Sequence, residues 1–335
     1  MEEDILLGYN PEQERRLERR ALGRYLAAVG FTMLVFLLAA LSTSLPVGLL
    51  RGYWQNRGVP VTQTMMQLVN MASYCYSLLL PLLFMVLFQG PGRTSRPLFP
   101  LARPRRGILF PAMGICFGVC SLSNYLSTWV SVLLQERFPD TLPGHQAVLP
   151  SEGLPLVLGL ISAAVLPGIL EELLFRGAIL QGARPFGDGF AIVLSALAFA
   201  LCHTTVPQLI PALLAGLLFG FFTVLSGSLW VTILIHCCYN LLASAVELAG
   251  TLGGSHTQLT VSVSIAACSL LYCLAACLVL SLRLRGERLM EKYRGALTLP
   301  QRCRAVGCSI PLLAATAVLC WTTWRPLLEE VLGRC

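Results

Sequence analysis

The sequence predicts an all-α fold: a polytopic transmembrane helix bundle of about eight to nine spans enclosing a buried polar cavity. Three observations carry this. Hydrophobic residues make up 56% of the 335-residue chain and charged residues only 12%, with a mean hydropathy of +0.71, whereas a soluble domain carries about 25% charged residues. The apolar residues fall in blocks of about 20 separated by short polar loops, the pattern of helices in lipid. The arginines gather in alternate loops, as the positive-inside rule requires of a chain that crosses and recrosses a bilayer.

Nine blocks form the bundle, at roughly 26–47, 66–89, 108–134, 156–182, 189–206, 208–226, 228–248, 260–282 and 305–324. Each is long enough for about 30 Å of hydrocarbon at about 1.5 Å per residue. The fifth to seventh are separated only by Pro207 and by Gly227-Ser228, so one of them is a candidate for a broken or re-entrant helix packed against protein.

Four regions follow. Residues 1–24 read as a cytoplasmic amphipathic segment at the membrane surface, with Asn10-Pro11 as N-cap and first helical residue. Residues 25–153 hold the first three spans and their loops, including a Pro-, Gly- and Arg-rich linker at 90–106, expected to be extended, and an outward loop at 135–153. Residues 154–249 are the core of interest. Residues 250–335 hold the last two spans and a basic connection, 283–304, expected to be largely helical and to rest on anionic headgroups.

The net charge of +7 is an orientation signal here, and no nucleic-acid partner is expected. Basic clusters precede the first span (Arg15, Arg16, Arg19, Arg20, Arg24), divide the second from the third (Arg93, Arg96, Arg103, Arg105, Arg106) and divide the eighth from the ninth (Arg283 to Arg302). With nine spans all three lie on one side. The expectation is an integral, multi-pass protein of the cell membrane with a cytoplasmic amino terminus and an outer carboxyl terminus. The first apolar block reads as a retained span, not a cleavable signal. Most of the 13 cysteines lie in apolar helices, with no C-x-x-C pair, and read as small apolar residues.

Ionisable groups inside spans are costly and therefore informative. Between residues 154 and 249, setting aside the PFGDG turn with Arg184 and Asp188 and the helix-end Glu247, they are Glu171, Glu172, Arg176, His203 and His236. In LEELLFRG, Glu172 and Arg176 stand i,i+4 and can pair, leaving Glu171 on the adjacent face without that partner. A buried carboxylate lacking a fixed cation suits a group that takes up and releases a proton. Phe199 and His203 share a helix face, as do His236 and Asn240. Taken singly, the acidic pair is equally a helix-end feature, and each histidine a core residue or interhelical contact. Taken together, at similar depths in consecutive helices, they are the parts of a water-activating hydrolase.

The ordered set EE-x-x-x-R (Glu171, Glu172, Arg176), F-x-x-x-H (Phe199, His203) and H-x-x-x-N (His236, Asn240) resembles the CPBP family, the CAAX-protease and bacteriocin-processing membrane proteins also called Abi. The resemblance covers about residues 154–248. It implies an intramembrane glutamate-type endopeptidase acting on a membrane-associated peptide or protein. In that reading Glu171 and His203 activate water, Glu172 and Arg176 form a supporting pair with Phe199 alongside, and His236 and Asn240 stabilise an oxyanion. No cofactor is expected. Zinc held by Glu171, His203 and His236 is the disfavoured alternative, because H-E-x-x-H is missing and Asn is an unusual ligand. A non-catalytic immunity or scaffold protein is the rival from another class, and a proton-coupled transporter a third, although no internal repeat supports it.

Overall fold

The computed structural model describes residues 10–89, 97–138 and 149–333. Residues 1–9, Arg93 and Arg96 of the linker, and most of the 135–153 loop, with Pro139, Pro143 and His145, lie outside the described residues. Among the described residues the regular structure is all helix, with no strand. We number the helices α1 Pro11–Ser42, α2 Ser44–Asn56, α3 Gln63–Gln89, α4 Leu109–Arg137, α5 Gly153–Phe186, α6 Asp188–Leu201, α7 Val206–Ser226, α8 Leu229–Arg283, α9 Leu299–Gly307 and α10 Ile310–Gly333.

Asn10 caps α1 as expected, accepting from the backbone N–H groups of Glu12 and Gln13 at 3.1 Å. The charged segment is not a separate surface helix, however. From Pro11 it runs unbroken into the first span, because no further proline falls before Pro46 and Gly23 alone costs a helix only about 1 kcal/mol.

Among the described residues, six helices are long and apolar enough to cross a membrane, and seven if the bent pair α9 and α10 counts as one span. In that count α8 appears once, yet its 55 residues would extend to about 80 Å as a straight helix. It breaks at Gly254, whose φ of 76° and ψ of −178° suit a residue without Cβ. The two arms lie side by side against α4. Asn124 donates to Tyr239 on the first arm at 2.8 Å, and Tyr272 on the second donates to the Phe110 carbonyl at 2.7 Å. The blocks at 228–248 and 260–282 are thus both present. The block at 189–206 is shorter than expected, because α6 has 14 residues, about 21 Å of rise.

The arginine-rich loops do meet at one end. Leu229 N–H donates to the Pro100 carbonyl at 2.8 Å, Arg105 N–H to the Ser226 carbonyl at 3.0 Å, and Arg283 Nη2 to the Arg106 carbonyl at 2.9 Å. Glu18 of α1 accepts from Ala296 N–H at 2.6 Å, and Asp188 from Glu291 N–H at 3.1 Å. The connection 284–298 is non-helical, contrary to expectation: the backbone donors of Glu291, Ala296 and Leu297 go to carboxylates of other helices.

Small residues set the helix spacing, as they do where no hydrophobic drive separates protein from lipid. Gly30 of α1 meets the backbone of Pro311 and Leu312, and a Cβ at Gly216 of α7 would lie 2.9 Å from the Ala196 Cα. Gly30→Val should therefore destabilise the bundle by about 1–3 kcal/mol, read as a lower unfolding temperature in detergent. Gly23→Val, on the same helix with open space around it, is the control and should lose far less.

Candidate active site

Helix α5 is the centre of the site, and it is not a regular α-helix. Residues Ile161–Val165 and Glu172–Leu180 are π-helical, the wider form that concentrates at functional positions. In the second stretch, backbone carbonyls accept bonds from side chains of the same and neighbouring helices. Ser195 Oγ donates to the Phe175 carbonyl at 2.7 Å, Gln181 Nε2 to the Arg176 carbonyl at 3.3 Å, and the Tyr25 hydroxyl to the Ile179 carbonyl. Phe99 of the 97–108 loop closes over Gly177. The π-helical geometry is thus held by partners on α1, α5 and α6.

Glu172 and Arg176 are both fully buried, with Arg176 Nη1 2.9 Å from Glu172 Oε1. The guanidinium lies between two rings, 4.2 Å from the Phe199 centroid and 5.2 Å from that of Phe219, a cation–π setting that offsets part of its desolvation. Among the described residues Arg176 Nε and Nη2 have no hydrogen-bond acceptor, so the ion pair and the ring faces carry its charge.

Glu172 has a second partner that spacing did not reveal. His236 Nδ1 lies 3.0 Å from Glu172 Oε1, and His236 Nε2 lies 3.8 Å from Glu171 Oε2. An ionised carboxylate only accepts, so Nδ1 carries the hydrogen and Nε2 is directed to Glu171, as a lone pair when the ring is neutral and as a second N–H when it is protonated. The imidazole bridges the two glutamates. Glu172 is therefore more than the structural partner of Arg176.

Glu171 is not left alone either. The hydroxyl of Tyr74 on α3 donates to Glu171 Oε1 at 2.7 Å. With 15% of its side chain exposed against none for Glu172, Glu171 is the carboxylate that other molecules can reach. Tyr74 was missed in the sequence, although a signal exists. Asn70, Ser73, Tyr74 and Ser77 form a polar stripe at helical spacing within an apolar span, and with Thr43 and Ser44 they line a groove of about 390 Å³.

Phe199 is the hub of the cluster. Its ring meets His203 edge-on at 4.7 Å between centroids, Phe175 at 5.1 Å and His236 at 6.2 Å. His203 follows the end of α6 and its Nδ1 lies 2.9 Å from the Phe199 carbonyl. The next residue, Thr204, has a φ of +50°, a left-handed conformation uncommon for a side chain of its kind and typical of functional turns. His203 thus joins the cluster through Phe199, without a direct hydrogen bond to Glu171. Asn240 lies one turn beyond His236 on α8 and is half-buried. Among the described residues, no three His, Cys, Asp or Glu side chains are grouped to hold a metal ion.

The fold and this centre define a multi-pass membrane protein with an enclosed carboxylate–imidazole cluster. Residues 153–242 match the family described as Type II CAAX prenyl endopeptidase Rce1-like. The matched segment contains all seven residues named from the sequence. The match is to a membrane protease family and supports a peptide hydrolase. No curated protein and no solved structure matches the chain.

If the Glu172–Arg176 pair is structural, Glu172→Ala should cost about 3–5 kcal/mol by leaving a buried cation unpaired. Glu171→Gln should leave the unfolding temperature in detergent within a few degrees of wild type.

Proposed function

We propose that the chain is an intramembrane endopeptidase in which Glu171 activates water to hydrolyse a peptide bond of a membrane-associated protein or peptide. The observation that carries this reading is the unequal placement of the two glutamates. Glu172 is spent on Arg176 and His236, while Glu171 keeps an accessible carboxylate, steadied by Tyr74 and faced by His236 Nε2.

The chemistry needs few parts. Glu171 takes a proton from water as the oxygen attacks the peptide carbonyl, and a tetrahedral oxyanion forms. His236, as a donor when protonated, and the Asn240 carboxamide one turn away stabilise that charge. The proton held on Glu171 passes to the departing nitrogen as the C–N bond breaks. His203 is a second proton carrier at the cavity edge, and Tyr74 positions the base. No cofactor takes part in this scheme.

By the positive-inside rule the end that gathers Arg105, Arg283 and the amino-terminal helix faces the cytoplasm, in the cell membrane, with the carboxyl terminus outside. The family resemblance supports a substrate class of either CAAX-type processing at a lipidated C-terminus or maturation of a bacteriocin-type peptide.

The experiment is a comparison of membrane peptides from cells expressing wild type and Glu171→Gln. Fragments produced by wild type should vanish in the variant, with cleavage down by at least about 10²-fold, the usual worth of a general base. Identical peptide patterns would leave the binding or immunity reading in its place. Tyr74→Phe should lower turnover about 10-fold, the equivalent of one hydrogen bond to a charged group, with little change in KM. Activity that survives strong chelation of the purified protein separates the glutamate mechanism from the zinc alternative.

A further inference from the structure

At the arginine-rich end lies a cavity of about 710 Å³ that the proteolytic scheme does not use. Its cations are Arg105, Arg184, Arg288, Lys292 and Arg294, and its carboxylates Asp188 and Glu291. Two of the cations are already neutralised. Arg184 Nε pairs with Asp188 Oδ1 at 2.8 Å, and Arg105 pairs with Glu287. That leaves Arg288, Lys292 and Arg294 facing Glu291 as the one further carboxylate of the lining.

These three cations are carried by a segment that is not a helix but is pinned at both ends. Asp188, itself buried, accepts from Glu291 N–H, and Glu18 accepts from the N–H groups of Ala296 and Leu297 and from the Tyr293 hydroxyl. Burial and the Glu18 acceptor push that hydroxyl up to about 12, so it stays a donor at any physiological pH. Behind it the Arg302 guanidinium lies 4.1 Å from the Tyr293 ring centroid. The cations therefore project from a braced wall.

The apolar side of the cavity decides which anion suits it. Val224 and Leu225, in the last turn of α7, lie in its floor, and Leu289 and Met290 stand 40% and 43% exposed between the cations. A small soluble anion has no use for that surface. A phospholipid has, because its phosphate meets the cations at headgroup level while its glycerol and first methylenes meet the apolar floor. The volume is also that of a small-molecule site, about 300–1,000 Å³, and ample for one headgroup.

We infer that this cavity is a binding site for the phosphate-bearing headgroup of an anionic membrane lipid, held by Arg288, Lys292 and Arg294 at the arginine-rich end of the bundle.

The test uses the full-length protein in neutral detergent, titrated with short-chain phosphatidylglycerol, short-chain phosphatidylcholine or inorganic phosphate, with bound ligand counted by native mass spectrometry. Phosphatidylglycerol should bind saturably with one copy per chain, and phosphatidylcholine at least 10-fold more weakly. The triple variant R288Q/K292Q/R294Q should lose at least 10-fold in affinity, whereas R288K/R294K, which keeps the charge, should bind as wild type does. Lys292→Gln alone, on an exposed side chain, should lose about 3-fold and gives a second readout. R51Q/R57Q, at the far end of the bundle, should have no effect. Equal binding of the two lipids, or an unchanged affinity in the triple variant, overturns the inference. Inorganic phosphate that binds as tightly as phosphatidylglycerol and displaces it would assign the cavity to soluble anions and overturn the lipid assignment.

Discussion

The fully buried ion pair of Glu172 and Arg176 is the constraint on which the rest of the bundle depends. Two charges withdrawn from water gain little net stability even when well paired, but removing either partner is costly, so the surroundings must be built to hold both. Here the cation is enclosed by the rings of Phe199 and Phe219 and the anion by His236. Those contacts tie α5 to α6, α7 and α8 at one level. The helices could slide past one another on purely apolar faces, and a single charged centre removes that freedom by fixing their register.

This pair also sorts the two adjacent glutamates. Residues next to each other on a helix point about 100° apart, so both cannot face the same partner. Once Glu172 is turned inward to Arg176, Glu171 turns towards α3 and the groove at Tyr74. The π-helical stretch that begins at Glu172 widens the helix where the arginine must fit between two rings. Its carbonyls accept from Tyr25 and Ser195 on other helices, so the irregularity is supported by the same bundle it helps to assemble.

Much of this was legible in the sequence, and the legible part is local. Glu172 with Arg176 and Phe199 with His203 are pairs one helical turn apart, and helix geometry alone brings them together. The bridge from His236 to Glu172 spans 64 residues and that from Tyr74 to Glu171 spans 97. Periodicity shows which face of a helix is polar but not which other face it meets, so these two contacts could not be read. The fifth span was overextended. The apolar run ends at Cys202, and the polar run His203-Thr204-Thr205, ahead of Pro207, makes the turn, with Thr204 in the left-handed region. The connection 284–298 shows tertiary bonding overriding helix propensity, because Asp188 and Glu18 capture the backbone donors of Glu291, Ala296 and Leu297.

A carboxylate inside an apolar bundle needs polar neighbours, and α3 supplies them along one face. Seven residues of α8 separate Leu229 from His236, about 10 Å of rise, and fifteen of α3 separate Tyr74 from Gln89, about 22 Å, so the cluster lies well inside the apolar thickness. The side chains of Asn70, Ser73 and Ser77 continue from Tyr74 along one face of α3, with Thr43 and Ser44 opposite. Hydroxyl and amide groups at that spacing keep the groove polar without adding charge, which an ionised lining would do at far greater cost. Tyr74, which lines the groove and donates to Glu171, joins the stripe on α3 to the cluster. Glu172, fully buried on Arg176, is left to hold the helices together.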